Sequence, residues 1–506
     1  MNSVAVMSFV KTALEWVGAF LVFALLILLL VVLVLYVIDR TQKKQTIRRN
    51  YPVIGRFRYF FEHLGEFFRQ YFFAMDREEM PFNRAERSWA YRAAKNVSRT
   101  MAFGSTRNLN PTGSVMFLND PFPILQKDAQ ATKPIQFGPY AKQPYAAPSF
   151  FNISAMSFGA LSRKAVIALS KGAEKAGCWI NTGEGGLSPY HLEGGGDVIF
   201  QFGTAKYGVR NAAGELDDDK LKAISNNAQV KMIELKMSQG AKPGKGGLLP
   251  AEKVTAEIAK IRGIPQGEAS ISPNGHPEIT SVSDLLDSIN HIRELTGKPV
   301  GFKAVIGSHQ YLVDLMREIN TRGIESAPDF ISIDSADGGT GAAPQPLFDY
   351  VGLPLKESLP LTIDLLEQNG LRERIKVICS GKMITPSGVA WAKAIGADVV
   401  VSARGFMFAL GCIQALQCNK NTCPTGITTH DEELQEGLVI SDKLERVYHY
   451  HKNMIKAVEM IAHSCGVKSA HDLKREHVRV VTETGLSTPL DKLHPYQENE
   501  IETKQL

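Results

Sequence analysis

Short apolar runs alternate with helical stretches from about residue 149 onward. Eight runs of mostly apolar or β-branched residues occur, at 151–156, 178–183, 198–203, 231–237, 299–305, 329–335, 375–381 and 397–404. Helix-like segments lie between them, including 162–176, 283–295, 309–322, 359–371 and 386–395. This alternation is typical of α/β proteins, and eight such units over about 250 residues predict a (β/α)8 TIM barrel. A doubly wound open sheet is the alternative fold.

The N-terminal region carries one much longer apolar segment. Residues 16–38 form a run of 23 residues without a charge. About 20 apolar residues suffice to cross a hydrocarbon core, whereas a signal peptide would have a shorter apolar region and a cleavage site. Lys11 is the only basic residue before the run. Seven basic residues follow it: Arg40, Lys43, Lys44, Arg48, Arg49, Arg56 and Arg58. The pattern predicts a single-pass helix in the cell membrane with the bulk of the chain in the cytoplasm.

The remaining chain divides into three predicted parts. Residues 39–148 form a juxtamembrane lead-in of helix and loops, 149–430 the barrel, and 431–506 a C-terminal helical extension. Within the lead-in, the segment 57–73 repeats aromatic residues at helical spacing, with Phe60, Leu64, Phe67 and Tyr71 on one face. Such a stripe favours a helix packed on the catalytic part, and an interfacial helix that prolongs the membrane anchor is the alternative.

Glycine and polar residues collect where five of the predicted strands end. The segments are 181–186, 239–247, 337–344, 380–382 and 402–405. Exposed backbone N–H groups in such turns can hold an anion, and the last two segments follow strands seven and eight, where barrels usually bind phosphate. The net charge of +5 is modest for 506 residues. These features predict a phosphorylated small-molecule ligand and no nucleic-acid partner.

Two charged residues lie inside predicted strands. Glu234 and Lys303 occur in otherwise apolar runs, where a charge is costly unless it is paired or functional. Lys236 lies on the same side of its strand as Glu234 because side chains alternate. A buried structural ion pair is one interpretation. The other is a lysine that stabilises developing negative charge and a carboxylate that moves protons.

Three of the six cysteines lie within twelve residues: Cys412, Cys418 and Cys423. One helix could not gather them, because it would place Cys412 and Cys423 about 16 Å apart along its axis. Asn and Pro residues favour a loop from Cys418 onward. A reducing cytosol disfavours disulfides, and zinc would need a fourth ligand such as His430. An iron–sulfur cluster, a zinc site and a purely structural role remain open.

Six segments then occur in a characteristic order: ISAMSFGALS, NTGEGG, QGAKPGKGG, ISPNGHPEITSVSDL, DGGTGAAP and GCIQALQCNKNTCPTG. Together they resemble the central FMN-binding domain of glutamate synthases over about residues 150–430. The resemblance implies a (β/α)8 barrel that binds FMN, with a 3Fe–4S cluster beside it. It implies that Cys412, Cys418 and Cys423 are the cluster ligands, and that Lys303 and Glu234 are catalytic residues near a 2-oxoglutarate site. The FMN contacts it implies are Ser154, Ala155, Met156, Ser157, Lys303, Gly338, Gly339, Thr340, Gly341, Ser380, Gly381, Lys382, Ala403, Arg404 and Gly405.

The sequence also departs from the pattern of this family. Its first cysteine is Cys178, so we expect no N-terminal cysteine amidotransferase. Only 76 residues follow residue 430, too few for the large glycine-rich C-terminal domain of the family. No nicotinamide-binding module is evident, so electrons are expected from a ferredoxin-like donor protein or a membrane redox partner. Lys245 stands where the family has glutamate, and His276 lies in a PNGHP segment where the family has PPPHH.

The resemblance predicts reductive amination of 2-oxoglutarate, or a related keto acid, to glutamate with ammonia and a one-electron donor. Because the two departures lie near the predicted barrel mouth, a second hypothesis is an FMN and iron–sulfur oxidoreductase that acts on another amino or keto acid, or that is linked to quinones. A third is a membrane-tethered barrel without catalysis, since a shared fold does not fix the chemistry.

Overall fold

The computed structural model of the protein describes residues 3–130 and 132–497, apart from the side chains of Ser3, Ala5, Val6 and Phe67. The last nine residues of the predicted C-terminal extension therefore lie outside the described residues. The chain divides into two compact units, Met1–Ala85 and Glu86–Leu506.

The first unit is helical. It contains α1 (Ser3–Thr41), α2 (Thr46–Asn50) and α3 (Gly55–Phe68), and a π-helical turn over Arg69–Phe73 continues α3. Helix α1 includes the predicted span, and its residues Met7–Thr41 are long and apolar enough to cross a membrane by length and composition. The aromatic stripe of α3 is largely exposed, at 57% for Phe60 and 56% for Tyr71.

The second unit contains most of the secondary structure. Its helices are α4 (Arg84–Ala94), α5 (Arg163–Ala176), α6 (Pro189–Leu192), α7 (Asp218–Ser225), α8 (Ala256–Arg262), α9 (Val282–Thr296), α10 (Gln310–Arg322), α11 (Gln345–Tyr350), α12 (Leu355–Gln368), α13 (Pro386–Ile395), α14 (Arg404–Leu410), α15 (Glu432–Glu436), α16 (Ile440–Ser464) and α17 (Leu490–Leu493). Its strands are β1 (Val115–Phe117), β2 (Ile135–Phe137), β3 (Tyr145–Ala147), β4 (Phe151–Ile153), β5 (Ile180–Asn181), β6 (Val198–Phe202), β7 (Val230–Lys236), β8 (Leu248–Leu249), β9 (Ser270–Ile271), β10 (Val300–Val305), β11 (Phe330–Asp334), β12 (Lys376–Ser380), β13 (Val399–Ser402), β14 (Val478–Val481) and β15 (Ser487–Pro489).

Eight parallel strands close into a barrel, and each overlaps one of the eight predicted runs, although β7 begins one residue earlier than its run, at Val230. Their order around the barrel is β4, β5, β6, β7, β10, β11, β12 and β13. The last strand pairs with the first, with Val400 opposite Phe151. This closure confirms the predicted (β/α)8 barrel and excludes the open doubly wound sheet.

Helices surround the barrel, and the last of them comes from beyond residue 430. Helix α16 packs against α5 and α13, the two neighbours that an eighth barrel helix has. The close approach depends on Gly172, because a Cβ there would lie 2.5 Å from the Val447 side chain. The C-terminal extension also includes strands β14 and β15, which form a small sheet with β1. The extension is therefore not helical throughout, and its longest helix belongs to the barrel.

Helix α12 begins four residues earlier than the sequence predicts. A start at residue 359 would place Pro360 in the first turn, where proline is favoured. In the structure Pro360 lies inside α12. Leu355 and Leu359 are buried, and this burial offsets the backbone hydrogen bond that proline cannot donate.

The two ends of the barrel are built differently. The β2–β3 hairpin covers the end at which the strands begin, where the Phe137 ring packs edge-on against Trp179 and Phe330. At the opposite end, a long insertion between β7 and α9 carries the β8–β9 hairpin and α8. The three clustered cysteines lie between α14 and α15. The carboxyl ends of the strands thus carry the largest insertions and the residues with candidate chemistry.

Candidate functional site

A cavity of about 400 Å³ opens where the last strands of the barrel end. Nine of the residues that the resemblance implies for FMN line it: Ser154, Ala155, Lys303, Gly339, Ser380, Gly381, Lys382, Ala403 and Arg404. The other six are not in the lining, although each is next to a lining residue in the sequence or close to one. They are Met156, Ser157, Gly338, Thr340, Gly341 and Gly405. The structure also places Asp334, Met383, Ile384, Val401 and Ser402 in this lining.

Glycines let the loops around this cavity approach each other closely. A Cβ on Gly240 would lie 2.3 Å from the Ser335 carbonyl oxygen and 2.9 Å from the Cα of Gly338. Gly381 has φ of 137°, which L side chains rarely adopt. The loops after β7, β11 and β12 therefore have their observed shapes because these positions lack side chains.

Charged groups lie on the outer side of the cavity. The Lys382 ammonium is 2.8 Å from Oδ2 of Asp337, and the Arg404 guanidinium donates a hydrogen bond to the Asp337 carbonyl oxygen. Burial disfavours the charged carboxylate of Asp337, but Lys382 and Ser335 outweigh burial and hold its pKa below the usual range. Two cations thus line this cavity.

Lys303 forms a buried ion pair with Asp334, a partner that the sequence analysis did not name. Its Nζ lies 3.1 Å from Oδ2 of Asp334, at the end of β11. Asp334 also accepts hydrogen bonds from the Gly240 backbone N–H and the Ser380 hydroxyl. Burial opposes the charged ammonium, but Asp334 and Glu234 outweigh burial and raise the pKa of Lys303. The pKa of Asp334 is lowered, because Lys303 and these hydrogen bonds outweigh its burial.

Glu234 lies deeper in the barrel, in the lining of a second cavity of about 340 Å³ that Lys303 also lines. One carboxylate oxygen accepts hydrogen bonds from Asn181 Nδ2 at 2.9 Å and Gln201 Nε2 at 2.5 Å. The other accepts from the Ser332 hydroxyl. Three donors therefore fix the position of this carboxylate from both of its oxygens. Gln201 reaches Glu234 because the two are register partners on adjacent strands.

Lys236 does not pair with Glu234, although the two lie on the same side of β7. Its ammonium is 2.7 Å from Oε1 of Glu184, in the loop after β5. Lys236, Glu234 and Lys303 are all nearly buried. Lys236 therefore belongs to a buried ion pair with Glu184, and Glu234 and Lys303 both line the second cavity.

Two charged site residues that the sequence analysis missed, Asp334 and Glu184, could have been identified from the sequence alone. Asp334 is an acidic residue at the end of an apolar strand, so the reasoning applied to Glu234 applies to it equally. Glu184 stands inside the glycine-rich segment after β5. The partnership of each with a particular lysine depends on strand order in the barrel.

The two residues that depart from the family pattern lie in the insertion after β7. Lys245 is exposed. His276 is buried, and its Nε2 lies 2.9 Å from the Lys236 carbonyl oxygen, so the ring donates a hydrogen bond there. His276 thereby links the insertion to the end of the strand that carries Glu234.

The cysteine segment is a loop from beginning to end. Helix α14 ends at Leu410, and positive φ angles at Gln414, Leu416 and Asn421 interrupt any helix. Burial, together with the nearby sulfurs of Cys418 and Cys423, raises the pKa of the Cys412 thiol to about 12. The three thiols are therefore close enough to influence one another.

The zinc alternative gains no support from this loop. In the parts of the chain that the structure describes, no group of three or more Cys, His, Asp and Glu residues is arranged to hold a metal ion, and this includes Cys412, Cys418 and Cys423. His430, the suggested fourth ligand, has its Nε2 at 2.8 Å from the Gly159 carbonyl oxygen. A donor set of thiols alone, without a carboxylate, is the chemistry that iron–sulfur clusters use.

A buried lysine joins the insertion after β7 to the cysteine loop. Lys253 is 1% exposed, and its ammonium donates to the carbonyl oxygens of Ala160, Cys418 and Thr428. Burial lowers its pKa to about 8, although Cys418 and Cys423 act in the opposite direction. Lys253 was not among the predicted site residues, and its only sequence signal is its place in the insertion.

Comparison with known proteins identifies the family. The model of the conserved region in glutamate synthase matches residues 125–468, and the chain belongs to this family of oxidoreductases. The chain is 39% identical to the glutamate synthase large subunit-like protein YerD of Bacillus subtilis (strain 168), over 91% of this chain and 94% of that protein. The match to the family model extends past residue 430 and includes helix α16.

Other relatives share only part of their length with this chain. It is 34% identical to an archaeal glutamate synthase [NADPH] of Methanocaldococcus jannaschii, over 65% of this chain and 61% of the relative.

Among solved structures, mandelate oxidase with 3,3-difluoro-2-hydroxy-3-phenylpropionic acid is similar at 15% identity and a TM-score of 0.45, over 78% of this chain and 98% of that chain. A mutant flavocytochrome b2 with benzoylformate is similar at 16% identity and a TM-score of 0.46, over 88% and 90%.

Proposed function

We propose that the protein is an FMN and iron–sulfur oxidoreductase that converts 2-oxoglutarate and ammonia to glutamate with electrons from a one-electron donor. The observation that carries this proposal is the position of Lys303. Lys303 lines both cavities, the larger one together with Lys382 and Arg404 and the other together with Glu234. A protonated lysine beside a carboxylate and two cavities suits a substrate that carries negative charge.

The larger cavity fits FMN by its chemistry. Its lining combines backbone from glycine-rich loops with the cations Lys382 and Arg404 at one side, which suits a phosphate group. Ser154, Ala155 and Lys303 extend the lining to the neighbouring cavity, where a substrate would meet the flavin. When bound, FMN would supply the exchange between single electrons and electron pairs, which no amino-acid side chain provides.

The protein's own residues would bind the substrate and move a proton. Lys303 holds its proton because its pKa is raised, so it would bind a substrate carboxylate or stabilise developing negative charge. Glu234 is held by Asn181, Gln201 and Ser332, and these hydrogen bonds orient its carboxylate. In this position a carboxylate oxygen of Glu234 would take a proton from the substrate, or give one to it, during the reductive amination.

The cysteine loop is the proposed site of a 3Fe–4S cluster, with Cys412, Cys418 and Cys423 as ligands. Its support is a donor set of three neighbouring thiols in one loop, since thiolates are the ligands of iron–sulfur clusters. The loop follows α14, whose first residue Arg404 lines the larger cavity. Seven residues of helix rise only about 10 Å, so a cluster here would lie near the flavin site. A ferredoxin-like protein or a membrane redox partner would be the electron donor.

Helix α1 is the proposed membrane anchor. Its apolar residues are exposed, and its length and composition suit one span. The seven basic residues that follow the run, against one before it, favour a cytoplasmic location for the catalytic part.

The test uses full-length protein, purified without air and chemically reduced. Adding 2-oxoglutarate and ammonium together is expected to reoxidise the flavin and produce glutamate, whereas either compound alone leaves the flavin reduced. Failure of the pair, with flavin present, rejects this substrate assignment. Colourless pure protein would favour a barrel without catalysis.

A second candidate is an oxidoreductase for a different amino or keto acid, and the departures at Lys245 and His276 favour it. Both lie in the insertion over the carboxyl end of the barrel, where substrate specificity is normally determined. Reoxidation by another 2-oxo acid with ammonium, but not by 2-oxoglutarate, would support this candidate.

A further inference from the structure

Helix α3 carries an exposed aromatic face. Phe57, Phe60, Phe61 and Phe68 are between 38% and 61% exposed, and Leu64 lies on the same side by helical spacing. The face continues into the π-helical turn, where Tyr71 and Phe72 are also exposed. An apolar face of this size on a water-exposed helix normally marks an interaction surface.

The opposite side of the helix is charged. Arg58, Glu62, Glu66 and Arg69 follow one another at intervals of three or four residues, so they share a face. Glu66 is displaced from Phe57 by nine residues, which places the two on opposite sides at 3.6 residues per turn. The helix therefore has one aromatic side and one charged side, as helices that lie at a membrane surface do.

A buried carboxylate fixes the start of α3 to the end of α1. Asp39 is fully buried, and it accepts hydrogen bonds from Arg48 and Arg56 and from the Val53 backbone N–H at 3.0 Å. Arg48 lies in α2 and Arg56 in the first turn of α3. The chain therefore turns sharply after α1, and α3 begins at the depth where the apolar helix ends.

Basic residues surround the same turn. Between Asp39 and Arg58 the chain has seven basic residues and one acidic residue, and Asp39 is paired with two of them. Arg40, Lys43, Lys44 and Arg49 are exposed. Such a cluster next to an apolar helix is attracted to anionic lipid headgroups.

We propose that the aromatic face of α3 lies in the headgroup region of an anionic phospholipid bilayer, with the charged face in water. The inference rests on the proposed anchor, because the start of α3 is tied to the end of α1. The aromatic side chains would be buried to the depth of the headgroup and acyl boundary, as is usual for interfacial helices. The exposed cations at the turn would bind the lipid phosphates.

The test places single spin labels in the full-length protein in bilayer discs of phosphatidylcholine and phosphatidylglycerol. Phe68→Cys labels the aromatic face, and Glu66→Cys is the matched control two residues away on the charged face. Leu26→Cys labels the middle of α1. The labelled but unsubstituted protein gives the background from its own cysteines, and flavin absorbance verifies that each variant is folded.

We expect the label at 68 to be accessible to oxygen and protected from a water-soluble nickel complex, and the label at 66 to show the reverse. Equal access of the nickel complex to 66 and 68 overturns the inference. Dipolar broadening between labels at 68 also overturns it, because a second copy would then cover the face. A label at 26 in water would instead reject the anchor itself, whereas a label at 26 in lipid with 68 in water rejects only the role of α3.

Discussion

The ammonium nitrogen of Lys303 lies 3.1 Å from Oδ2 of Asp334, and both side chains are nearly buried at the carboxyl ends of adjacent strands. The raised pKa of the lysine and the lowered pKa of the aspartate keep both groups ionised at neutral pH. The pair holds the positive charge of Lys303 beside the negative charge of Asp334, and Lys303 lines both cavities.

We expect Lys303→Met to lower the free energy of unfolding by about 3–5 kcal/mol, because it leaves the buried Asp334 carboxylate without its cation. Urea denaturation measures this change. The double variant Lys303→Met/Asp334→Asn should recover much of the loss, since no buried charge then remains unpaired. Strict additivity of the two single effects would contradict a coupled pair.

We expect Glu234→Gln to lower turnover by about 10²–10⁴-fold, the usual contribution of a positioned proton-transfer group. The substitution keeps the size of the side chain and removes its charge. The rate of glutamate formation by the reduced enzyme measures the effect, with flavin content as a check on folding. The exposed pair partner Glu193 offers a matched control as Glu193→Gln, and equal rates in both variants would exclude a catalytic role for Glu234.

Substitution of Gly240 should weaken flavin binding. In Gly240→Ala the added carbon meets the Ser335 carbonyl and Gly338, so the loop after β11 must shift away from the cavity. We expect the dissociation constant of FMN to rise by about tenfold or more, equivalent to about 1.4 kcal/mol. Flavin fluorescence during titration of the flavin-free protein measures it. Gly275→Ala, also in the insertion after β7, meets nothing within 4 Å and should bind FMN normally, so equal weakening in both would contradict the prediction.

Removal of Lys253 should loosen the cysteine loop. Lys253→Met deletes the hydrogen bonds to the carbonyl oxygens of Ala160, Cys418 and Thr428. Because loss of residues that support metal ligands commonly costs about 10–100-fold in metal affinity, we expect a lower iron content and a weaker paramagnetic resonance signal. Flavin content should stay unchanged. The control Lys260→Met changes an exposed lysine of the same insertion, and normal iron content in Lys253→Met would refute the role.

Lys242 should make stability depend on pH. Burial, with a contribution from Lys236, lowers the pKa of Lys242 from 10.5 to about 8 in the folded protein. Between pH 8 and 10.5 the unfolded chain binds more protons at this site, so the contribution of Lys242 to stability rises with pH. At pH 7 the buried charge costs about 3 kcal/mol.

The free energy of unfolding of Lys242→Met, measured in urea from pH 7 to pH 10, should therefore exceed that of the unsubstituted protein at pH 7. The difference should shrink as the pH rises. The exposed Lys222 provides the control Lys222→Met. A difference that does not change with pH would show that Lys242 is not destabilised by burial of its charge.

Periodicity along the chain was sufficient to predict the eight strands, because each run is apolar over the residues that enter the barrel wall. The same local signals located the apolar N-terminal helix and the cysteine loop, where spacing alone excluded one continuous helix. Local signals were weaker for α12, whose start depends on buried contacts of Leu355, and they did not associate α16 with the barrel.

The residue types that carry chemistry were visible in the sequence, since Glu234 and Lys303 are charges within apolar strands. Their partners were decided by the tertiary structure alone. Lys303 pairs with Asp334 because β10 and β11 are neighbours, and Lys236 pairs with Glu184 rather than with Glu234. Closure of the barrel joins residues that are far apart in the chain, and no local pattern specifies which loops then meet.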